Sequence, residues 1–174
     1  MLHLRRYVAE DREAVRETFR TIFDRSELPH FDANRFDGPS IVGLDDSGSV
    51  CAFILVEQTP EGYTDCEIAY LGVAAAWRRH GYARKLISTV QEVAGLGVWL
   101  KVLERNSAAR RLYEGLGFVI GERYAVEGDV GLTLVWGVEY RCALCSGLLT
   151  PATVVWSGLG EKTQPRCREC HGIN

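Results

Sequence analysis

The segment from Cys66 to Ala94 restricts the fold more than any other part of the chain. A largely apolar run, Cys66 to Val73, reads as a strand. An Ala-rich link and the basic turn Arg78-Arg79-His80-Gly81 follow, and then Ala83, Leu86, Ile87, Val90 and Ala94 recur on one face of a helix that Gly95 and Gly97 stop. A strand that feeds a helix through a basic, glycine-containing turn is a phosphate site on physical grounds. The first N–H groups of a helix have no intrahelical acceptor, the helix dipole puts positive charge there, and Gly81 and Ala83 keep side chains out of the approach. Taken alone, the turn fits a solvated basic cap on an ordinary helix equally well.

The remaining elements alternate in type. Leu2 to Val8 reads as a strand leading to Asp11, a candidate N-cap, and Val15, Phe19, Ile22 and Phe23 form the stripe of a helix that ends before Pro29. Leu28 to Pro39 is loop-like. Ser40 to Leu44 and Val50 to Gln58 read as a hairpin closed by Asp45-Asp46-Ser47-Gly48. Val98 to Leu103 is a strand, Asn106 caps a helix with Ala109, Leu112, Tyr113 and Leu116 on one face, and Gly117 is placed to end it at C′. Phe118 to Tyr124 and Val130 to Tyr140 complete an α+β domain.

With 174 residues, 47% of them hydrophobic, the chain supports one main core and a small appendage. No window has the apolar length of a membrane span, and the first residues mix Arg5, Arg6, Glu10 and Asp11, so we expect a cytoplasmic protein with no membrane contact. A net charge of -3 gives no strong nucleic-acid signal and makes a charge-steered substrate cationic.

The composition shifts near Arg141, which predicts two domains, 1–140 and 141–174. The tail carries Cys142-x-x-Cys145 and Cys167-x-x-Cys170, separated by a 21-residue interval, each with Gly two positions on (Gly147 and Gly172). In a reducing compartment these are not a disulfide framework. Glycines permit the tight turn that points backbone N–H groups at thiolates, and four thiolates fill a tetrahedral, structural Zn²⁺ site resembling a zinc ribbon, with Thr153 to Trp156 as one strand of its hairpin. So short a tail has no other means of burying enough surface to fold. The zinc-loaded tail is near charge neutrality, which favours a clamp or a protein partner over phosphate binding. Cys51 and Cys66 stand alone and read as buried thiols.

Arg78-x-x-Gly81-x-Ala83 resembles the Gln/Arg-x-x-Gly-x-Gly/Ala signature of the GNAT acetyltransferases, at that family's position between its fourth strand and third helix. Asn106-Ser-Ala-Ala109-Arg-Arg-Leu-Tyr113, ending in Gly117-Phe118, is similar to the family's Asn-x-x-Ala-x-x-x-Tyr helix. The pair, with the element order, covers about residues 1 to 140. The resemblance implies a GNAT fold, a mixed and mostly antiparallel sheet flanked by helices, and acetyl-CoA as cosubstrate. It places the pyrophosphate on the main-chain amides of Arg79, His80, Gly81, Tyr82, Ala83 and Arg84, behind Arg78. The pantetheine arm pairs with the backbone near Leu71 and Val73, and Asn106 contacts it. Arg79 replaces a small residue there, and its guanidinium faces either phosphate or water.

Acetyl transfer needs an uncharged amine, oxyanion stabilisation and a proton for the leaving thiolate. Some family members carry a general-base glutamate where this chain has Glu67, and period-two alternation puts Glu67 on the face of Ala69, Leu71 and Val73; a solvated strand residue fits equally well. Tyr113 matches the family's tyrosine near the CoA sulfur, and a main-chain N–H near Leu71 to Val73 meets the oxyanion. The resemblance therefore implies an N-acetyltransferase acting on a primary amine, with Leu28 to Pro39 and Ala125 to Val130 as acceptor loops. A non-catalytic acetyl-CoA-binding scaffold whose ribbon recruits a protein is the alternative.

Overall fold

The computed structural model describes the chain except for residues 24–30, 33–35, 37, 59–65, 95–96, 138–139, 142–143, 146–147, 150–154, 158–163 and 167–174. Packing divides it into two compact units, Met1–Gly95 and Leu96–Asn174.

In the first unit the N-terminal strand is shorter than its alternation suggests. Strand β1 spans His3–Arg6 and ends where Asp11 folds the chain back. The Asp11 carboxylate, buried, accepts both Arg5 Nη groups at 2.6 and 2.7 Å and the Val8 N–H at 2.9 Å. Asp11 is therefore not the cap of helix α1 (Arg12–Ile22). Its own backbone is helical (φ -76°, ψ -11°) and it makes no capping bond, because the Arg5 fork and Val8 occupy its oxygens. The α1 stripe buries Val15 and Phe19, and the Phe19 ring meets Phe23, Phe31, Phe53 and Tyr70 at centroid distances of 4.4 to 6.2 Å.

Strands β2 (Ile41–Leu44) and β3 (Val50–Gln58) form the expected hairpin, with Asp45 Oδ1 accepting the N–H groups of Ser47 and Ser49 across the turn. Strand β4 (Cys66–Val73) follows, and β1-β2-β3-β4 run antiparallel in chain order. Phe53 and Leu55 of β3 face the α1 cluster. The alternate residues Ala52, Ile54 and Val56 are also fully buried, on the face where helix α2 (Tyr82–Ala94) buries Leu86, Ile87 and Val90.

In the second unit strands β5 (Val98–Leu103), β6 (Val119–Val126) and β7 (Asp129–Trp136) pair antiparallel in the order β5-β7-β6. Val98, Leu100, Leu132, Leu134 and Val135 are buried on its strands, and helix α3 (Ser107–Glu114) joins β5 to β6. Two sequence expectations change here. The stretch Ala125 to Val130 is no open loop: β6 continues to Val126, and a tight turn at Glu127 and Gly128 leads straight into β7. The last strand ends at Trp136 instead of running to Tyr140. Beyond it, β8 (Tyr140–Arg141) pairs with β9 (Leu148–Leu149), and β10 (Val155–Ser157) with β11 (Gln164–Arg166). The expected strand at Thr153 to Trp156 is β10, one residue longer at its end, with Thr153 and Val154 outside the described residues. Among the described residues no helix is long and apolar enough to cross a membrane.

Candidate functional site

The junction between β4 and α2 is built by hydrogen bonds that start at the strand. The Ala74 N–H donates to the Cys51 carbonyl at 2.8 Å, Ala75–Trp77 makes one 3-10 turn, and Arg78 Nε donates to the Val73 carbonyl at 2.9 Å. Arg78 thus ties the turn to the end of β4 through its side chain. His80 Nδ1 lies 2.8 Å from the Arg78 carbonyl oxygen, a bond in which the ring N–H donates, so His80 also serves the turn.

Two residues of this turn are left-handed, Arg79 at φ 67° and Gly81 at φ 80°. Apart from its chain neighbours, no atom lies within 4 Å of where a Cβ on Gly81 would stand, so the glycine is there for its backbone angle and not for want of room. Left-handed residues interleaved with ordinary ones turn successive N–H groups to one side, forming a nest for anions. The first helical bond, from the Lys85 N–H to the Gly81 carbonyl, is 3.0 Å, so the N–H groups of Tyr82, Ala83 and Arg84 precede any intrahelical acceptor. The first turn of α2 holds no acidic residue to compensate the dipole, and Arg79, His80 and Arg84 are exposed around it. The geometry suits a pyrophosphate.

Glu67 does not share a face with Leu71 and Val73. Tyr70 pairs with Leu55 and Ile68 with Val56, so Ala69 is an extra residue in β4, a β-bulge. The bulge reverses the alternation. Residues directly opposite one another lie on the same face. Leu71 and Val73 oppose Ile54 and Ala52 on the α2 face, whereas Glu67 opposes Glu57, two residues from Leu55, on the α1 face with Tyr70 and Gly72.

In the second unit Asn106 caps α3, its Oδ1 accepting the Ala109 N–H at 3.2 Å, which leaves the side-chain amide N–H groups available. The last turn of α3 continues through Gly115 and Leu116 and closes at Gly117, φ 85°, where the Gly117 N–H donates to Glu114 and the Phe118 N–H to Tyr113. This is a Schellman closure with Gly117 at C′, as expected. Tyr113 is 7% exposed and packs edge-on against Phe118 at 5.7 Å. Burial pushes its pKa up to about 12, so the hydroxyl keeps its proton at neutral pH.

The structure thus brings Leu71, Val73 and Arg78 to Arg84 together in one unit and Asn106 with Tyr113 on one helix in the other. Cys51 and Cys66 are buried, and burial raises the Cys51 thiol, which lies 3.5 Å from Asp45 Oδ2. Cys145 is exposed in a turn, while Cys142, Cys167 and Cys170 fall outside the described residues, as does much of Leu28 to Pro39. Among the described residues no three candidate ligands gather in a metal site. No local pattern in the sequence signals the left-handed backbone of Arg79 or the bond of the Tyr82 hydroxyl to Leu2.

A profile of the Acetyltransferase (GNAT) family matches residues 7–118. No curated protein sequence matches. Among solved structures, the chain is similar to the ribosomal-protein-S18-alanine N-acetyltransferase of Escherichia coli, with 16% identity and a TM-score of 0.64 over 79% of this chain and 94% of that one. It is similar to Arabidopsis thaliana NAA60 in complex with a bisubstrate analogue (22% identity, TM-score 0.62, 79% and 98% covered). Ard1 of Thermoplasma volcanium gives 23% identity and a TM-score of 0.64, with 79% and 97% covered. At these identities the likeness shows a shared fold.

Proposed function

Because the chain belongs to the GNAT acetyltransferase family, and is as such an acetyl-CoA-dependent N-acetyltransferase, we propose that it acetylates a primary amine by direct attack in a ternary complex. The acceptor is a small amine, a peptide N-terminus or a lysine side chain. The observation that carries the reading is the β4–α2 turn. Two left-handed residues, three amides ahead of the first helical bond and an uncompensated helix terminus together make an anion site at the family's pyrophosphate position.

In this reading the amides of Arg79 to Arg84 hold the pyrophosphate, the backbone at Leu71 and Val73 pairs with the pantetheine arm, and the Asn106 amide contacts that arm. Glu67 takes a proton from the amine, whose nitrogen then attacks the thioester carbonyl carbon. A main-chain N–H near Leu71 to Val73 meets the oxyanion. The C–S bond breaks as the carbonyl re-forms, the thiolate takes the proton of the Tyr113 hydroxyl, and the second proton lost by the attacking nitrogen passes through water to restore that hydroxyl. Burial keeps the Tyr113 hydroxyl in its protonated form, and the bulge at Ala69 supports acceptor approach from the α1 face, where Glu67 lies. The assay is thiol release from acetyl-CoA against a panel of amines and peptides. Release that falls at least tenfold in Tyr113→Phe supports the assignment; acetyl-CoA binding without release from any acceptor favours the non-catalytic scaffold.

The acetyltransferase domain in this proposal is 1–140, and residues 141–174 form a zinc ribbon in which Cys142, Cys145, Cys167 and Cys170 hold one structural Zn²⁺ in a cytoplasmic protein. Two short hairpins support it. The first cysteine pair falls between β8 and β9, and Cys167 directly follows β11. Its role is a clamp or a protein contact.

A further inference from the structure

We infer that the Tyr82 hydroxyl is a positioning group for the phosphate turn, through a bond to the N-terminal strand; the inference rests on the turn's assignment as the pyrophosphate site. Tyr82 opens α2 and its N–H is one of the three amides proposed to meet the anion. Its side chain points elsewhere. The Tyr82 Oη accepts the Leu2 N–H at 3.2 Å, a donor one residue ahead of the first β1–β2 pair, His3 with Leu44. Leu2 is a firm anchor, because its side chain is 2% exposed and it lies against Gly43 of β2.

The ring adds a second restraint. Trp77, at the end of the 3-10 turn, meets the Tyr82 ring edge-on at 6.1 Å, and His80, inside the turn, meets it at 6.1 Å. His80 is itself bonded to the Arg78 carbonyl. One side chain therefore touches the residue before the turn, a residue within it and the neighbouring sheet strand, and it is carried by the first residue of the helix whose amides face the anion. The left-handed backbone at Arg79 is a conformation that a non-glycine residue populates sparsely, and a hydroxyl anchored on β1 helps to hold the turn in it before the ligand arrives. Preorganisation of this kind lowers the ordering cost of binding without touching the ligand.

The expected signature is selective for the phosphates. Tyr82→Phe keeps the ring contacts and deletes only the acceptor, and the loss of one net hydrogen bond weakens acetyl-CoA binding by about threefold to tenfold. Acetyl-pantetheine, which has the same thioester arm and no phosphate, binds Tyr82→Phe and the unsubstituted chain within about twofold. Calorimetric titration of both proteins with both compounds reads all four affinities. An unchanged acetyl-CoA affinity in Tyr82→Phe overturns the inference, and so does an equal loss for both compounds, which marks a general effect on the fold. Equal binding of the two compounds by the unsubstituted chain instead removes the phosphate-turn reading itself, and this inference with it.

Discussion

Replacing Arg79 by glycine separates strain from binding at the phosphate turn. Arg79 is the one non-glycine residue at positive φ among the described residues, at 67°. A side chain in that region costs about 1–2 kcal/mol from contact of Cβ with the backbone. Glycine removes the contact, but its freer unfolded chain returns about 0.5–1 kcal/mol of that gain. The net is a stabilisation of about 0.5–1 kcal/mol, and for a chain of this size a melting temperature higher by about 1–4 °C. The exposed guanidinium is lost at the same time. If it faces phosphate, Arg79→Gly weakens acetyl-CoA binding by about 1 kcal/mol, roughly fivefold, and flattens the salt dependence of that affinity. Arg79→Ala is the control: it keeps the strain and loses the charge, so its affinity falls with that of Arg79→Gly while its melting temperature does not rise. Thermal melting and calorimetry with acetyl-CoA read both quantities. A rise in stability with unchanged affinity refutes the phosphate contact, and a fall in stability for Arg79→Gly refutes the strain argument.

Asn106→Ala removes the α3 cap and is expected to cost about 1 kcal/mol in urea unfolding, whereas Asn106→Asp keeps a capping oxygen and the stability but weakens acetyl-CoA binding, because it trades amide donors for charge. Gly117→Ala forces a Cβ into a left-handed residue 3.4 Å from the Trp136 ring and should lower stability by about 1–2 kcal/mol, again by urea unfolding. For Tyr113 the folded pKa, about 12, lies above the unfolded value near 10, so the unfolded chain releases its proton first. Stability attributable to this residue is complete below pH 10 and falls between about pH 10 and 12, and the fall should be absent in Tyr113→Phe melting curves. Metal analysis of protein purified without added zinc should find one Zn²⁺ per chain, and chelation should alter the tail while leaving acetyl-CoA affinity within about twofold; no zinc would refute the ribbon.

What could be read in advance was set by local chemistry. The strand limits at Cys66 to Val73 and Val98 to Leu103, the Asn106 cap and the Gly117 closure each depend on residues a few positions apart, and all stand as expected. Asp11 misled because its partner, Arg5, is six residues away on the preceding strand, and a bidentate ion pair outcompetes a single capping bond. The bulge at Ala69 was hidden because its cause is the register against β3, which no pattern within β4 alone specifies. The same holds for Tyr82, whose hydroxyl finds a partner eighty positions away at Leu2.

The bulge also gives β4 two grammars of substitution. Upstream of Ala69 the odd-numbered position, Glu67, looks toward α1; downstream it is the even-numbered ones, Tyr70 and Gly72, that do so. A strand of the same letters that ran through Ala69 without the bulge would present its glutamate, six residues before Val73, to the opposite side of the sheet. Aligning a bulged and an unbulged strand letter for letter would equate positions that point in opposite directions, and a transplanted β4 segment would carry its chemistry to the intended side only if the bulged register against β3 travelled with it.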